Sequence, residues 1–180
     1  MILTVSGEIG AGKSTVARAL AQTLGLRYLS GGDVFREEAR RRGLTLSALG
    51  ELAERDPSID RMIDQLQVHA ARGGAIVVDS RLSGWLVDGD FRVWLRAPLD
   101  VRARRVAARD AAPVEAARAA IENREACERR RYAGLYQIDL GDLTRYHLVL
   151  DTAVWRAEDI TQAIAALARA FCGERSGQRA

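Results

Sequence analysis

The segment Gly7-Glu8-Ile9-Gly10-Ala11-Gly12-Lys13-Ser14 fits the spacing G-x-x-x-x-G-K-[ST]. That pattern is built to hold phosphate. Gly7, Gly10 and Gly12, with Ala11 between the last two, let successive backbone amides turn inward around phosphate oxygens. A helix opening at Lys13-Ser14-Thr15 adds partial positive charge at its N-terminus. Lys13 supplies a compact cation for the β- and γ-phosphates, and Ser14 offers a hydroxyl to Mg²⁺. With 16 Gly and a single Lys in the chain, chance matches to this pattern number only ~6 × 10⁻⁴. Of the 27 basic residues all but Lys13 are Arg, so the sole lysine stands where the motif needs one. The residues point to ATP held with Mg²⁺. Asp79 closes the apolar run Ala75-Ile76-Val77-Val78 and is the natural second oxygen for the metal; its alternative role is an N-cap for a helix over residues 81–86.

These groups need elements to position them. Ile2–Ser6 reads as a strand, and Val16, Ala17, Leu20, Ala21 and Leu24 recur at helical spacing until Gly25. Tyr28–Ser30 is a second strand, Ser30-Gly31-Gly32-Asp33 a turn with Asp33 as helix N-cap, and 34–73 two or three polar helices. The run 75–79 suits a strand buried on both faces, as in a parallel sheet covered by helices. Phe91–Leu95 and His147–Leu150 are further strands. Pro98 opens a helix between them, and Ile160, Ile164, Leu167 and Phe171 form one face of a last helix. Alternation of this kind predicts a doubly wound α/β fold with a five-stranded parallel sheet. Residues 1–180 read as one domain: a core of 1–31, 74–109 and 145–172, helical insertions at 32–73 and 110–144, and a frayed tail at 173–180.

Composition narrows the function classes. The chain has 180 residues, 48% hydrophobic and 28% charged, with only 3 Pro and 2 Cys; this excludes a disulfide-stapled or low-complexity protein. Cys127 and Cys172 stand 45 apart without His neighbours, so no zinc site is expected. The apolar runs are too short for a membrane span and the N-terminus lacks a basic leader; a cytoplasmic monomer is expected. The net charge of +3 is concentrated: residues 102–131 carry nine Arg against five carboxylates. A local positive segment suits a small polyanion better than a duplex, so no nucleic-acid partner is expected.

Beyond the loop, Ser30-Gly31-Gly32-Asp33-Val34-Phe35-Arg36 resembles the nucleoside monophosphate kinases, where Gly-Asp followed by Arg begins the monophosphate-binding insertion. Glu54–Asp60, Asp79-Ser80-Arg81-Leu82-Ser83-Gly84-Trp85, Trp94–Leu99, Arg129-Arg130-Arg131-Tyr132 and Tyr136–Asp139 are similar to the archaeal-type cytidylate kinases, over about residues 1–165. Glu8-Ile9 and Asp79-Ser80 depart from that family's usual pattern. The resemblance implies ATP:CMP (or dCMP) phosphoryl transfer on a P-loop kinase fold. It implies that Arg36 and Arg81 clamp the acceptor phosphate and that Arg105 and Arg109 contact ATP. It also implies that Arg124 and Arg131 belong to a lid over 110–144, and that Thr152–Trp155 border the adenine.

On the acceptor side, with Asp33 and Arg36, helical spacing sets Asp60, Asp64 and Gln67 on one face, with Arg61 beside them. That face lines the acceptor pocket or is a solvated stripe. Trp85 and Trp155 are expected to fill core or hinge space, and His69 and His147 to be structural. Competing functions are an adenylate kinase or another small-acceptor P-loop kinase, and a nucleic-acid-associated ATPase.

Overall fold

The computed structural model describes residues 1–177. Five strands, β1 (Ile2–Gly7), β2 (Arg27–Ser30), β3 (Ile76–Asp79), β4 (Phe91–Arg96) and β5 (Leu148–Asp151), form one sheet in the order β2-β3-β1-β4-β5. Every pairing is parallel. Parallel neighbours require crossovers. The helices that supply or follow them are α1 (Lys13–Leu24), α2 (Gly31–Arg41), α3 (Leu46–Arg55), α4 (Ser58–Arg72), α5 (Ser83–Leu86), α6 (Leu99–Asp110), α7 (Val114–Tyr136) and α8 (Ala157–Gly177). On one face Leu3, Val5, Val93 and Leu95 pack with Val16 and Leu20 of α1 and Ile160 and Ile164 of α8. On the other, Ile76 and Val78 meet Ala71 of α4 and Val87. All four residues of β3 are buried, as the unbroken apolar run predicts.

The strand order sets the loop after β1 between the ends of β3 and β4, at the carboxyl edge where ligands of such sheets bind. Register brings Val5 beside Asp79 and Gly7 beside Leu95. The Glu8 amide donates to the Leu95 carbonyl at 3.0 Å, and a Cβ on Gly7 (φ +145°) would lie 2.0 Å from that oxygen. Only glycine lets β1 turn into the loop this close to β4.

The helices between β2 and β3 share a small core of Ala39, Leu49, Ala53, Ile59 and Ile63. The 23-residue α7 lies against α6 and α3. It is joined to the loop by a cluster of Ile9, Val106, Ala117 and Ile121.

Three local expectations are corrected. Ser30, not Asp33, caps α2: its hydroxyl accepts from the Asp33 amide at 3.1 Å. Gly31 and Gly32 are therefore helical rather than a turn. Gly31 stands there because a Cβ would come within 2.9 Å of Ser80 Cβ and 3.0 Å of Gln67 Nε2. The last helix runs on to Gly177, past the start of the expected frayed tail, and residues 178–180 lie outside the described residues.

Candidate active site

A cavity of about 520 Å³ opens at the carboxyl edge of the sheet. The loop contributes Gly10, Ala11, Gly12, Lys13, Ser14 and Thr15 to its wall; α2 and α4 contribute Arg36, Asp60, Asp64 and Gln67. Asp79 and Arg81 enter from the end of β3, and Arg105, Arg109, Arg124 and Arg131 from α6 and α7. Three expected residues stand back. Gly7 lies beneath the loop. Asp33 accepts from Arg36 at 2.5 Å and from Arg18 at 2.9 Å. Arg61 is exposed and borders a second hollow with His69 and Tyr136. Trp155, expected in core or hinge space, is instead 60% exposed at the cavity wall. It follows Asp151 by four residues, so it sits on the surface turn beyond β5 rather than within the sheet. Trp85 is partly buried against Leu82 and Tyr132. His147 stacks near Phe91 and Phe171, a structural position.

The loop ends on Gly12, the N-cap of α1, where no side chain satisfies the first-turn amides. Those donors have no partner within the helix and suit an anion. Lys13 Nζ donates to the Glu8 carbonyl at 2.8 Å, spanning the loop from below. Burial, then the nearby Arg81 charge, draws its pKa down to about 8. Extra negative charge in the cavity would raise it again.

Carboxylates aim the arginines. Arg81 donates through Nε to Glu128 at 2.6 Å and through Nη1 to the Gly7 carbonyl at 2.6 Å, and its Nη2 meets Glu125 at 3.4 Å. Burial opposes the Arg81 charge, but Glu128 and Glu125 more than offset it and raise its pKa. Burial likewise pushes the Glu128 carboxyl up, while Arg81 and then Arg124 hold it below the usual range. Glu125 also accepts from the Ile9 amide at 3.2 Å and from Arg102 at 2.9 Å. Arg102 in turn reaches the Ile9 carbonyl at 3.0 Å and Glu8 at 3.3 Å. Arg105 is held by the Thr152 hydroxyl and carbonyl, at 2.8 and 2.6 Å. The Arg109 side chain pairs with Asp110 and is 55% exposed.

Arg131 grips Asp60 with both ends of its fork, at 2.9 and 3.0 Å, and both side chains are buried. This pair ties α7 to α4, as does the Tyr136 hydroxyl, which donates to Asp64 at 2.6 Å. Burial is the largest influence on Asp64 and pushes its carboxyl up to about 6. The face Asp60–Asp64–Gln67 is thus a cavity wall and not a solvated stripe.

Oxygen donors for Mg²⁺ are present. Ser14 and the buried Asp79, whose Oδ2 accepts from Tyr28 at 3.0 Å, face the same cavity. Asp79 does not cap α5, whose N-cap is Leu82. Among the described residues no group of three or more His, Cys, Asp and Glu is placed to hold a metal. The donors fit a cation that takes most of its ligands from phosphates and water, the habit of Mg²⁺.

Glu8, Arg102, Glu125 and Glu128 went unpredicted. One signal lay in the sequence: Glu128 is four residues after Arg124 and three before Arg131, the spacing of helical ion pairs.

Two outcomes follow for stability. Arg81→Ala strands buried Glu128 and should cost ~3–5 kcal/mol, whereas exposed Arg36→Ala should stay within ~0.5 kcal/mol. Urea denaturation of both checks this; parent-like stability of Arg81→Ala would refute the network's structural role. Asp64 holds its proton more tightly folded than unfolded. Its contribution to stability is therefore present at acid pH and lost as pH rises from 3.8 through about 6. The stability of the parent relative to Asp64→Asn should fall across that window; parallel pH curves would contradict it.

Comparison with known proteins extends these observations. A family model described as "Cytidylate kinase-like family" matches residues 2–154. Cytidylate kinase of Halobacterium salinarum is 45% identical over 178 residues, covering 97% of this chain and 93% of the relative. That of Pyrococcus furiosus is 42% identical over 161 residues, covering 89% and 84%. Among solved structures, a gluconokinase from Sinorhizobium meliloti aligns with a TM-score of 0.63 at 16% identity, covering 98% of this chain and 95% of its own. A shikimate kinase from Acinetobacter baumannii aligns at 0.57 and 20%, covering 92% and 91%; these two likenesses establish the fold alone. The family match runs from the first strand into the turn beyond β5 and takes in all of the cavity wall except Trp155, Ala157 and Ile160: the chain belongs to the cytidylate kinase-like family.

Proposed function

We propose that this chain transfers the γ-phosphoryl group of ATP to CMP or dCMP, giving ADP and CDP or dCDP. The observation that carries the proposal is the convergence of the phosphate loop, six arginines and the Asp60–Gln67 face on one cavity in a chain of this family. The loop amides from Gly10 to Thr15 and Lys13 hold the β- and γ-phosphates. Arg105 and Arg109 stand on the ATP side, beside Thr152 and Trp155. Arg36 and Arg81 hold the acceptor phosphate, and Asp33 positions Arg36. Arg124 and Arg131 cover the transfer site from α7. Arg61, exposed on α4 beside the second hollow, stands outside this cavity. Ser14 and Asp79 would hold Mg²⁺, which would supply positive charge against the phosphoryl group being transferred.

The chemistry asks for positioning and charge. The acceptor 5′-phosphate is already an anion, so no general base is needed. Its oxygen attacks the γ-phosphorus in line, the bond to the β–γ bridging oxygen breaks, and ADP leaves with the electron pair. Guanidinium groups fixed beforehand by Glu128, Glu125, Asp60 and Thr152 stabilise the equatorial charge with little reorganisation. Closure of the insertions 32–73 and 110–144 keeps water from competing as acceptor. On the same reading the enzyme is a cytoplasmic monomer acting on free nucleotides.

A coupled ADP-release assay with CMP, dCMP, UMP, AMP and GMP tests the assignment. CMP should lead, with dCMP next; a tenfold preference for AMP would overturn the acceptor. Acceptor-free hydrolysis stimulated by RNA or DNA would overturn the kinase. The lysine gives a sharper check. Nζ spans the loop to the Glu8 carbonyl at 2.8 Å, a space fitted to a slim stem and a compact ammonium. The broader guanidinium of Lys13→Arg should displace the γ-phosphate and lower turnover ~10²-fold, close to Lys13→Ala, with the melting temperature unchanged. Retention of the parent rate within ~3-fold, under ~1 kcal/mol, would remove that role.

A further inference from the structure

Gln67 lines the cavity from α4 yet is only 1% exposed, and its side-chain oxygen Oε1 is covered and has no hydrogen-bond partner. Buried acceptors are seldom left in that condition. The amide cannot relieve it by turning over. Its Nε2 donates to the Ile63 carbonyl at 3.3 Å and to Asp64 Oδ1 at 3.1 Å. Rotation would set Oε1 against two acceptors. Asp64 is itself fixed, because Oδ2 accepts the Tyr136 hydroxyl at 2.6 Å. Tyr136 thus orients Asp64, Asp64 orients the Gln67 amide, and the carbonyl is left as the group in want of a donor. The neighbouring Asp60 carboxylate is taken up by Arg131. On this face of α4, Gln67 Oε1 is the acceptor left without a donor.

We infer that the site adjusts on acceptor binding so that Gln67 Oε1, covered in the free chain, accepts a hydrogen bond from the exocyclic amine of the acceptor base, and that Gln67 thereby selects cytosine against uracil. The inference rests on the nucleotide-kinase assignment above and adds to it a residue and an atom. Cytosine carries a donor at N4, where uracil carries a carbonyl acceptor. A carbonyl placed there would face Oε1 and Asp64 with no hydrogen between them. A site that uses its buried polar groups in this way rejects a ligand lacking the matching group far more strongly than a shape fit does. Gln67 reads the amine and not the size of the ring. Tyr136, at the end of α7 and outside the cavity wall, acts as a positioning residue for it.

The test compares kcat/KM for CMP, UMP and 4-deamino-CMP, whose 2-pyrimidinone base keeps O2 and N3 but lacks the amine. The parent should use 4-deamino-CMP at least ~10-fold less well than CMP, and UMP at least ~10²-fold less well. Gln67→Leu should bring CMP and 4-deamino-CMP within ~3-fold of each other. Tyr136→Phe should narrow the CMP-to-UMP ratio while leaving the KM for ATP unchanged, which a general loosening of the fold would not do. The inference is overturned if the parent uses 4-deamino-CMP within threefold of CMP, or if Gln67→Leu keeps the parent's discrimination. Should Gln67→Leu fail to fold, the parent's ranking of the three nucleotides and the Tyr136→Phe ratio decide. A parent active on AMP or GMP but not on any of the three pyrimidine nucleotides would bring down the acceptor assignment itself, an outcome distinct from CMP and 4-deamino-CMP being used equally.

Discussion

A single carboxylate oxygen, Glu125 Oε1, accepts from the Ile9 amide, from Arg102 and from Arg81. Ile9 belongs to the phosphate loop, Arg102 to α6 and Arg81 to the segment after β3. Three parts of the chain far apart in sequence are fixed to one another by this atom, carried on α7. A loop of backbone amides binds phosphate only while its amides point inward, and glycines make that conformation possible without making it unique. Uniqueness here comes from buried charge. Glu8 extends the brace by accepting from the Ala97 amide at 3.0 Å and by pairing with Arg102 at 3.3 Å. Such a network is weak evidence for net stability, since taking ions out of water offsets most of their attraction. Its consequence is geometric.

The same logic governs the cavity. Arginine is long and flexible, and immobilising such a side chain costs about 0.5–1.5 kcal/mol when a ligand must do it. Arg81, Arg105 and Arg131 are held beforehand, by Glu128 and Glu125, by Thr152, and by Asp60. Their partners also balance charge: a wall of unpaired guanidinium groups would repel itself and lower the pKa of Lys13 further. Arg36 and Arg109, more exposed, pair only with local carboxylates and keep their freedom. The cavity therefore combines a rigid inner set of cations with an adaptable outer pair.

Much of this was legible in the residues. Apolar runs marked the strands, and the loop motif fixed the edge at which ligands gather. Helical spacing alone brought Asp60, Asp64 and Gln67 to one face. Local chemistry misled at Ser30-Gly31-Gly32-Asp33, where both Ser and Asp are good caps and paired glycines read as a turn. Ser30 takes the cap, and the glycine at 31 answers to close packing against Gln67 and Ser80, which a linear sequence does not display. The carboxylates escaped notice for another reason. Phosphate is met by cations, and Glu125 finds its partners 116 and 44 residues away, at Ile9 and Arg81. Part of the basic segment 102–131 likewise turned out to be scaffold: Arg102 is buried beneath the loop, Arg118 pairs with Asp100 and Arg130 with Glu54.

The unbroken length of α7 has a consequence of its own. Glu125 and Glu128 act near the phosphate loop, Arg131 reaches Asp60, and Tyr136 reaches Asp64. These contacts sit on one continuous helix, so its rise of about 1.5 Å per residue sets their separation, some 16 Å from first to last. The helix is a ruler laid along the cleft. Its graduations are also angular: inserting or deleting one residue between Glu128 and Tyr136 would turn one end by ~100° relative to the other. The two ends could not then both keep their partners. Side chains along this stretch can be exchanged one at a time, but its length is held by both ends at once.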